Sequence, residues 1–193
     1  MVKEVITKSL SAALAKYDKG AVIMMELPTD SYLEANLASV SLLVQNGFEG
    51  IYVSFQRPFK NIEGMFRKEG INTGKLMFID VATSFEGIKQ EGNARCVHLE
   101  PGIQIDDLVR SIYTSLPKLK GNKKFIFVDS LTTITLYKPL SEIMRFSEFL
   151  IRTVKKQEVQ EVILIFNVAE DLSQRKFIRD IALRVDEVIS VIA

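Results

Sequence analysis

Polar side chains follow most of the short apolar runs in this sequence, at the points where those runs end. They are Glu26, Gln56, Arg57, Asp80, Glu100, Asp129 and Asn167. Any single one of them is explained by the fact that strand ends meet solvent. If the runs are neighbouring strands of one parallel sheet, however, the whole set marks the edge at which such sheets bind ligands.

Cys96 and His98 form a second group of residues with chemical potential. They are two positions apart, so on a strand both side chains lie on one face. Both are zinc ligands in proteins, but the chain has one cysteine and one histidine, and so no further soft ligand to complete a site. A catalytic pair is also disfavoured, because no orienting group is evident. We therefore expect a buried cysteine, a hydrogen-bonded histidine and no metal site.

Seven apolar runs alternate with helical patterns along the chain. They cover residues 21–25, 50–55, 75–80, 96–99, 124–129, 162–167 and 186–192. Most are continuous in Val, Ile, Phe and Met, which is typical of strands buried on both faces of a parallel sheet. The alternation predicts an α/β domain with three layers, α/β/α, around a mainly parallel sheet with right-handed crossovers.

Capping residues predict where the helices begin. Residues 2–17 have the pattern of an amphipathic helix lying on the sheet. The expected N-terminal caps are Thr29 or Asp30, Asp106 or Asp107, Ser141 and Ser173, and Pro58 is expected as the first residue of a further helix. The polar stretch 82–95 is expected to form a loop with a short helix.

Composition limits the class of protein. The length of 193 residues fits one domain, 1–193, and 47% hydrophobic residues exclude a disordered chain. A net charge of +1 gives no indication of nucleic acid or an anionic membrane as a partner. The N-terminus lacks the apolar core of a signal peptide, and the apolar runs are too short to cross a bilayer, so we expect a soluble, cytoplasmic protein.

Three segments, taken in order, resemble the RecA-like ATPases, above all the KaiC group. KFIFVDSLTTI (124–134) is similar to the Walker B strand of that group, and GIYVSFQRP (50–58) to its second strand, which usually ends in Ser-Phe-Glu-Glu. Residues 162–191 resemble its closing segment. The resemblance implies a RecA-like P-loop NTPase fold over most of the chain, and an archaeal family of unassigned function would also fit.

The phosphate loop of that family, G-x-x-x-x-G-K-[ST], falls on ELPTDSYL. In the family the glycines let backbone amides wrap the phosphates, the lysine reaches the β and γ oxygens, and the hydroxyl holds Mg²⁺. Here the first glycine corresponds to Glu26, the second to Ser31, the lysine to Tyr32 and the hydroxyl residue to Leu33. The resemblance therefore implies a loop that keeps its length and has lost each functional member.

The remaining nucleotide-site positions are altered as well. Glu26 and Asp30 add negative charge, and two like charges about 4 Å apart repel by about 4 kcal/mol at an intermediate dielectric. Gln56 and Arg57 stand where the KaiC group has two acids that polarise water, and neither is a base at neutral pH. Asp129 matches the Walker B aspartate, but we expect it to accept hydrogen bonds from backbone amides or from Arg57. The remnant of the site would comprise Glu26, Asp30, Ser31, Tyr32, Leu33, Gln56, Arg57, Asp129 and Asn167.

These losses favour a fold without ATPase activity, catalytic residues or cofactor. The leading hypothesis is a non-catalytic domain that acts in protein interaction or regulation, with a second copy or an active KaiC/RecA-like ATPase as partner. The alternative is a nucleotide or small-ligand binding protein that uses a rearranged crevice, with Arg57 supplying positive charge. A nucleic-acid-binding module is disfavoured by the charge. By resemblance to RecA-like rings, the interface candidates are Arg175 and Lys176, together with the apolar stripe Val5, Ile6, Leu10 and Leu14.

Overall fold

The computed structural model describes residues 2–17, 19–82, 93–99, 102–156 and 161–191, and every strand in these ranges belongs to one parallel sheet. The strands are β1 (Ala21–Leu27), β2 (Glu49–Ser54), β3 (Leu76–Asp80), β4 (Cys96–His98), β5 (Lys123–Asp129), β6 (Glu161–Ala169) and β7 (Glu187–Ser190). Their order across the sheet is β4-β3-β2-β5-β6-β1-β7. All seven predicted runs therefore contain a strand. Residues 83–92, which make up most of the segment in which we expected a short helix, lie outside the described residues, as does Glu100.

Helices cover both faces of this sheet. One face carries α1 (Val2–Lys16), α2 (Tyr32–Gln45) and α3 (Phe59–Lys68); the other carries α4 (Ile105–Ser115), α5 (Leu131–Ile134), α6 (Leu140–Lys155) and α7 (Lys176–Ala182). Alternate residues of each central strand enter the two cores, as Met25 and Met24 do on β1. The three-layer α/β/α prediction is confirmed. None of the described helices is long and apolar enough to cross a bilayer.

The apolar stripe of α1 is used inside the molecule. Ile6 and Leu10 are fully buried and belong to the same core as the facing residues of α2. Leu14 packs against that core, and Val5 is the more exposed member of the stripe. The helix thus covers the sheet of its own chain, and the stripe is not a free surface for a second copy.

Two helices begin later than their sequences suggested. Residues Thr29–Ser31 form a 3-10 turn ahead of α2, and neither Thr29 nor Asp30 caps that helix. Ser173 does not cap α7 either, since the 3-10 turn Glu170–Leu172 intervenes and Arg175 precedes the first helical residue.

Prolines and first-turn acids account for the other helix starts. Pro58 and Pro139 directly precede α3 and α6 with φ of −54° and −60°, so Ser141 lies inside the first turn of α6. Asp106 and Asp107 lie in the first turn of α4. The ring fixes φ of proline at the entry to a helix, and carboxylates in the first turn complement the helix dipole without a capping bond.

Gly50 of β2 lies where any larger residue would clash with the neighbouring strand. A Cβ added at Gly50 of β2 would lie 2.1 Å from the ring of Phe125 on β5. The two strands are hydrogen-bonded neighbours with Gly50 opposite Phe125. The ring therefore occupies the space that any side chain at position 50 would need.

Candidate functional site

Tyr32 is the residue that the sequence resemblance aligns with the phosphate-loop lysine. It is the first residue of α2, its side chain is 5% exposed, and it packs in the core on the α1–α3 face. Its hydroxyl lies 3.0 Å from Oγ1 of Thr132 in α5, the helix that follows β5. Burial raises the pKa of Tyr32 to about 12, so the buried group is a neutral phenol. The side chain ties the start of α2 to the segment after the Walker B-like strand.

Thr132 is a meeting point for hydrogen bonds at this edge of the sheet. Its Oγ1 lies 2.9 Å from the hydroxyl of Ser130 and accepts a bond from the backbone N–H of Ala169 at 3.3 Å. Ser130 also lies 2.9 Å from Oγ1 of Thr133, and Gln56 donates to that oxygen at 2.8 Å. The hydroxyl groups of Tyr32 and of residues 130–133 thus bond to one another, and Gln56 and the backbone of Ala169 donate to the same cluster.

Asp129 is buried at the end of β5, and its partner is Tyr52 of β2. The phenol of Tyr52 donates to Oδ2 of Asp129 at 2.6 Å, whereas we expected backbone amides or Arg57 as the donors. Burial raises the pKa of Asp129, while Tyr52, Asn36 and Arg57 act in the opposite direction. Burial also raises the pKa of Tyr52 well above its usual value.

Asn167 joins the same network from β6. Its amide donates to Oδ1 of Asn36, and Nδ2 of Asn36 donates to the phenol of Tyr52 at 2.9 Å. Two buried oxygens in the network, Oδ1 of Asp129 and Oδ1 of Asn167, have no hydrogen-bond partner among the described residues. Both oxygens are acceptors, so only a hydrogen-bond donor could satisfy them.

The other predicted site residues do not join this network. Glu26 lies on β1, which β6 separates from β5, and it accepts a bond from the hydroxyl of Ser190 at 2.7 Å. Because side chains alternate along a strand, Glu26 points to the opposite face of the sheet from Met25 and hence from the Asp129 side. Asp30 is exposed and accepts a bond from Ser31 at 3.1 Å, while Leu33 packs against the core. The predicted remnant of the site included both Glu26 and Asp129, but the structure separates the two carboxylates.

Arg57, Arg175 and Lys176 remain near the surface. The backbone of Arg57 is held by Ser54, whose hydroxyl donates to its carbonyl at 2.6 Å, and its charge is near enough to lower the pKa values of Tyr52 and Asp129. Arg175 and Lys176 are exposed where α7 begins.

Sequence inspection missed the buried polar residues that organise this edge. Tyr52 sits in the middle of an apolar run, and Asn36 lies on the apolar face of an amphipathic helix. A polar group at a position that should be buried was the available signal, since such groups need partners. Those partners could not be identified from the sequence, because they depend on the order of the strands in the sheet.

An apolar cavity opens near the same edge, on the other face of the sheet. It has a volume of about 330 Å³, and Lys138, which donates to the carbonyl of Ile103, forms its polar boundary. On its rim Leu136 is 74% exposed and Tyr137 is 44% exposed. Its wall includes Phe55, Val81, Leu108 and Ile134.

Comparison with known proteins identifies the fold. No family model matches the chain, and no curated protein matches it. An uncharacterized protein of Pyrococcus horikoshii, determined in complex with an unknown peptide, is similar in structure with a TM-score of 0.68 and 14% identity, over 95% of this chain and 82% of that one. A KaiC-like protein of Pyrococcus horikoshii OT3 has a TM-score of 0.55 and 15% identity, over 83% and 67% of the two chains. With its parallel sheet between two helical layers, this chain has a RecA/KaiC-like fold.

Proposed function

We propose that this protein is a KaiC-like domain that does not hydrolyse ATP and acts by binding another protein. One observation carries the first half of the proposal: the ring of Tyr32, which the sequence resemblance aligns with a phosphate-loop lysine, is buried, and its hydroxyl is bonded to Thr132. A nucleotide phosphate would have to displace a packed aromatic side chain to reach the start of α2.

The chemistry around Tyr32 also favours the absence of a nucleotide. Phosphate loops offer glycine amides and a lysine to a highly charged anion, whereas residues 26–33 contain neither glycine nor lysine and include Glu26 and Asp30. The unsatisfied oxygens of Asp129 and Asn167 are acceptors, as phosphate oxygens are. The alternative of a nucleotide held by Arg57 in a rearranged crevice therefore has less support.

The cavity beside Leu136 supports the second half of the proposal. Exposed apolar side chains on the rim of an apolar cavity are features of protein-binding sites. Leu136 and Tyr137 provide the rim, and the cavity can hold an apolar side chain. The structurally similar Pyrococcus horikoshii protein was determined with a peptide bound. By analogy, we propose that an extended segment of a partner protein places an apolar side chain in this cavity.

The test compares two exposed leucines at opposite edges of the sheet. Leu136 lies on the cavity rim at the carboxyl edge, and Leu183, 85% exposed, follows α7 on the way back to the start of β7. The wild-type protein, Leu136→Glu and Leu183→Glu are used to capture partners from the native cell extract, and the captured proteins are quantified by mass spectrometry. We expect at least one partner, a KaiC/RecA-like ATPase among the candidates, to be retained by wild type and Leu183→Glu and lost with Leu136→Glu.

Binding of the same purified partner by all three proteins must then be measured directly. A reduction of about tenfold or more with Leu136→Glu alone is the expected result, since burying a charge in an apolar pocket costs more than about 1.4 kcal/mol. Equal affinities for the three proteins would place the binding surface elsewhere.

A further inference from the structure

Three metal-binding side chains converge at the β4 edge of the sheet, away from the network around Tyr32. Cys96 and His98 lie on one face of β4, and β4 pairs with β3 so that Asp80 stands directly beside His98. The potential ligand atoms of the three residues all lie within 4.8 Å of one another. Nδ1 of His98 is 3.4 Å from Oδ2 of Asp80 and 3.9 Å from Sγ of Cys96.

These separations are close to those of a tetrahedral zinc site. Zinc binds sulfur at about 2.3 Å, imidazole nitrogen at about 2.05 Å and carboxylate oxygen at about 2.0 Å. At tetrahedral angles these bond lengths place nitrogen and oxygen about 3.3 Å apart and nitrogen and sulfur about 3.5 Å apart. The observed nitrogen–oxygen separation of 3.4 Å is within about 0.1 Å of this geometry, and the nitrogen–sulfur separation of 3.9 Å exceeds it by about 0.4 Å. The sulfur and the carboxylate oxygen lie within 4.8 Å of each other and would have to approach to about 3.5 Å when the ion binds.

We propose that Asp80, Cys96 and His98 bind a zinc ion, with the fourth position open to water or to a ligand from outside the chain. The inference goes beyond the proposed function, since neither Tyr32 nor the Leu136 cavity takes part. Sequence inspection discarded this site because it considered only cysteine and histidine as further ligands, and the carboxylate on the neighbouring strand supplies the third.

A cysteine–histidine–aspartate catalytic triad does not fit the same geometry. In a triad the nucleophile and the orienting carboxylate face different nitrogens of the imidazole. Here the sulfur and the carboxylate both face Nδ1 of His98. Groups that converge on one point are arranged for a shared ion.

Neighbouring residues hold the ligands in place. The backbone N–H of Phe59, the first residue of α3, donates to Oδ2 of Asp80 at 2.8 Å. The Phe59 ring meets the imidazole of His98 edge to face, with 6.2 Å between centroids. Asp80 is buried, while Cys96 and His98 are half-buried on β4, so the group is shielded and still reachable from the surface. Such outer contacts orient ligands in metal sites.

The composition of the chain makes the test unusually specific. Because the chain has one cysteine and one histidine, a thiolate-to-metal signal can come only from Cys96, and an imidazole-to-metal signal only from His98. The protein is prepared without a histidine tag, treated with a chelator and titrated with Zn²⁺ by calorimetry. Co²⁺ is used in parallel as a spectroscopic probe of zinc geometry. We expect one Zn²⁺ per chain and a cobalt–thiolate charge-transfer absorption.

Variants of each ligand complete the test, with the exposed carboxylate variant Asp30→Asn as the control. Cys96→Ser should abolish the charge-transfer absorption, and Cys96→Ser and His98→Ala should each weaken Zn²⁺ binding at least about 100-fold, because changes even in outer partners cost about 10- to 100-fold. Asp80→Asn keeps an acceptor for the Phe59 amide and should weaken Zn²⁺ while leaving the cobalt–thiolate absorption intact at saturation. Circular dichroism checks that each variant is folded. If His98→Ala does not fold, the test rests on the Zn²⁺ affinity and the cobalt absorption of Cys96→Ser.

Two results would overturn the proposal. The first is the absence of any charge-transfer absorption from the wild-type protein at millimolar Co²⁺. The second is Zn²⁺ binding by Cys96→Ser with the affinity of the wild type.

Discussion

Replacing Tyr32 tests whether the phosphate-loop position is filled. Tyr32→Ala removes a buried ring from the core between α2 and the sheet, and buried aromatic-to-alanine changes cost about 3 to 5 kcal/mol in the free energy of unfolding. Tyr32→Phe keeps the ring and removes only the hydroxyl. Thr132 retains its contacts with Ser130 and Ala169, so no buried group is orphaned and the cost should be about 1 kcal/mol.

Urea unfolding followed by circular dichroism measures both costs. The control is Tyr113→Ala on α4, where the tyrosine is 54% exposed and the expected cost is about 0.5 kcal/mol or less. If Tyr32→Ala costs no more than Tyr113→Ala, the ring does not fill the crevice and the reasoning for a closed site fails.

The pH dependence of stability provides a second check on Tyr32. Its pKa is about 12 in the folded protein, against about 10 for an unperturbed tyrosine. A raised pKa stabilises the folded state below pH of about 10, and this contribution is lost as the pH rises towards 12. The stability difference between wild type and Tyr32→Phe should therefore shrink above pH of about 10, and a constant difference would show that the phenol is not buried.

Three further predictions concern other parts of the fold. Gly50→Ala should lower the free energy of unfolding by about 1 to 3 kcal/mol through overpacking against β5, whereas Gly64→Ala, in open space on α3, should raise it by about 0.5 to 1 kcal/mol. Urea unfolding of both variants measures these changes, and equal changes would contradict the packing at Gly50. Asp129→Asn should preserve or raise the free energy of unfolding at pH 7. Burial raises the pKa of Asp129, so the carboxyl group contributes to stability below pH of about 4, and this contribution is lost as the pH rises through the raised pKa. A large loss of stability in the variant at pH 7 would show that the charge of Asp129 is needed. If copies associate through the start of α7, reversing the charges of Arg175 and Lys176 should weaken sedimentation-detected assembly, more so at low salt, and an indifferent assembly excludes this interface.

The strands were predictable because their physics is local. A run such as 162–166 is apolar without interruption, and only a strand covered on both faces buries it all. Helix starts were less accessible, since they depend on competition between caps, prolines and 3-10 turns. Ser173 has the chemistry of a cap, yet the turn that contains Glu170 places the first turn of α7 three residues further on.

The site was less predictable than the fold, because side-chain partners depend on strand order. The absence of glycine and lysine from residues 26–33 is visible in the sequence, whereas the bond between Tyr32 and Thr132 joins residues 100 positions apart. Similarly, Asp80 meets His98 only because β4 pairs with β3 in one register. Neither composition nor spacing contains this information.

The most direct test of the central claim is calorimetric titration of the untagged protein with ATP in the presence of Mg²⁺, accompanied by an assay of phosphate release. The proposal that Tyr32 closes the start of α2 to phosphates predicts no phosphate release and no dissociation constant below about 1 mM, which corresponds to about −4 kcal/mol. Micromolar binding of ATP, with or without hydrolysis, would contradict the closed site and would place Arg57 in contact with the phosphates.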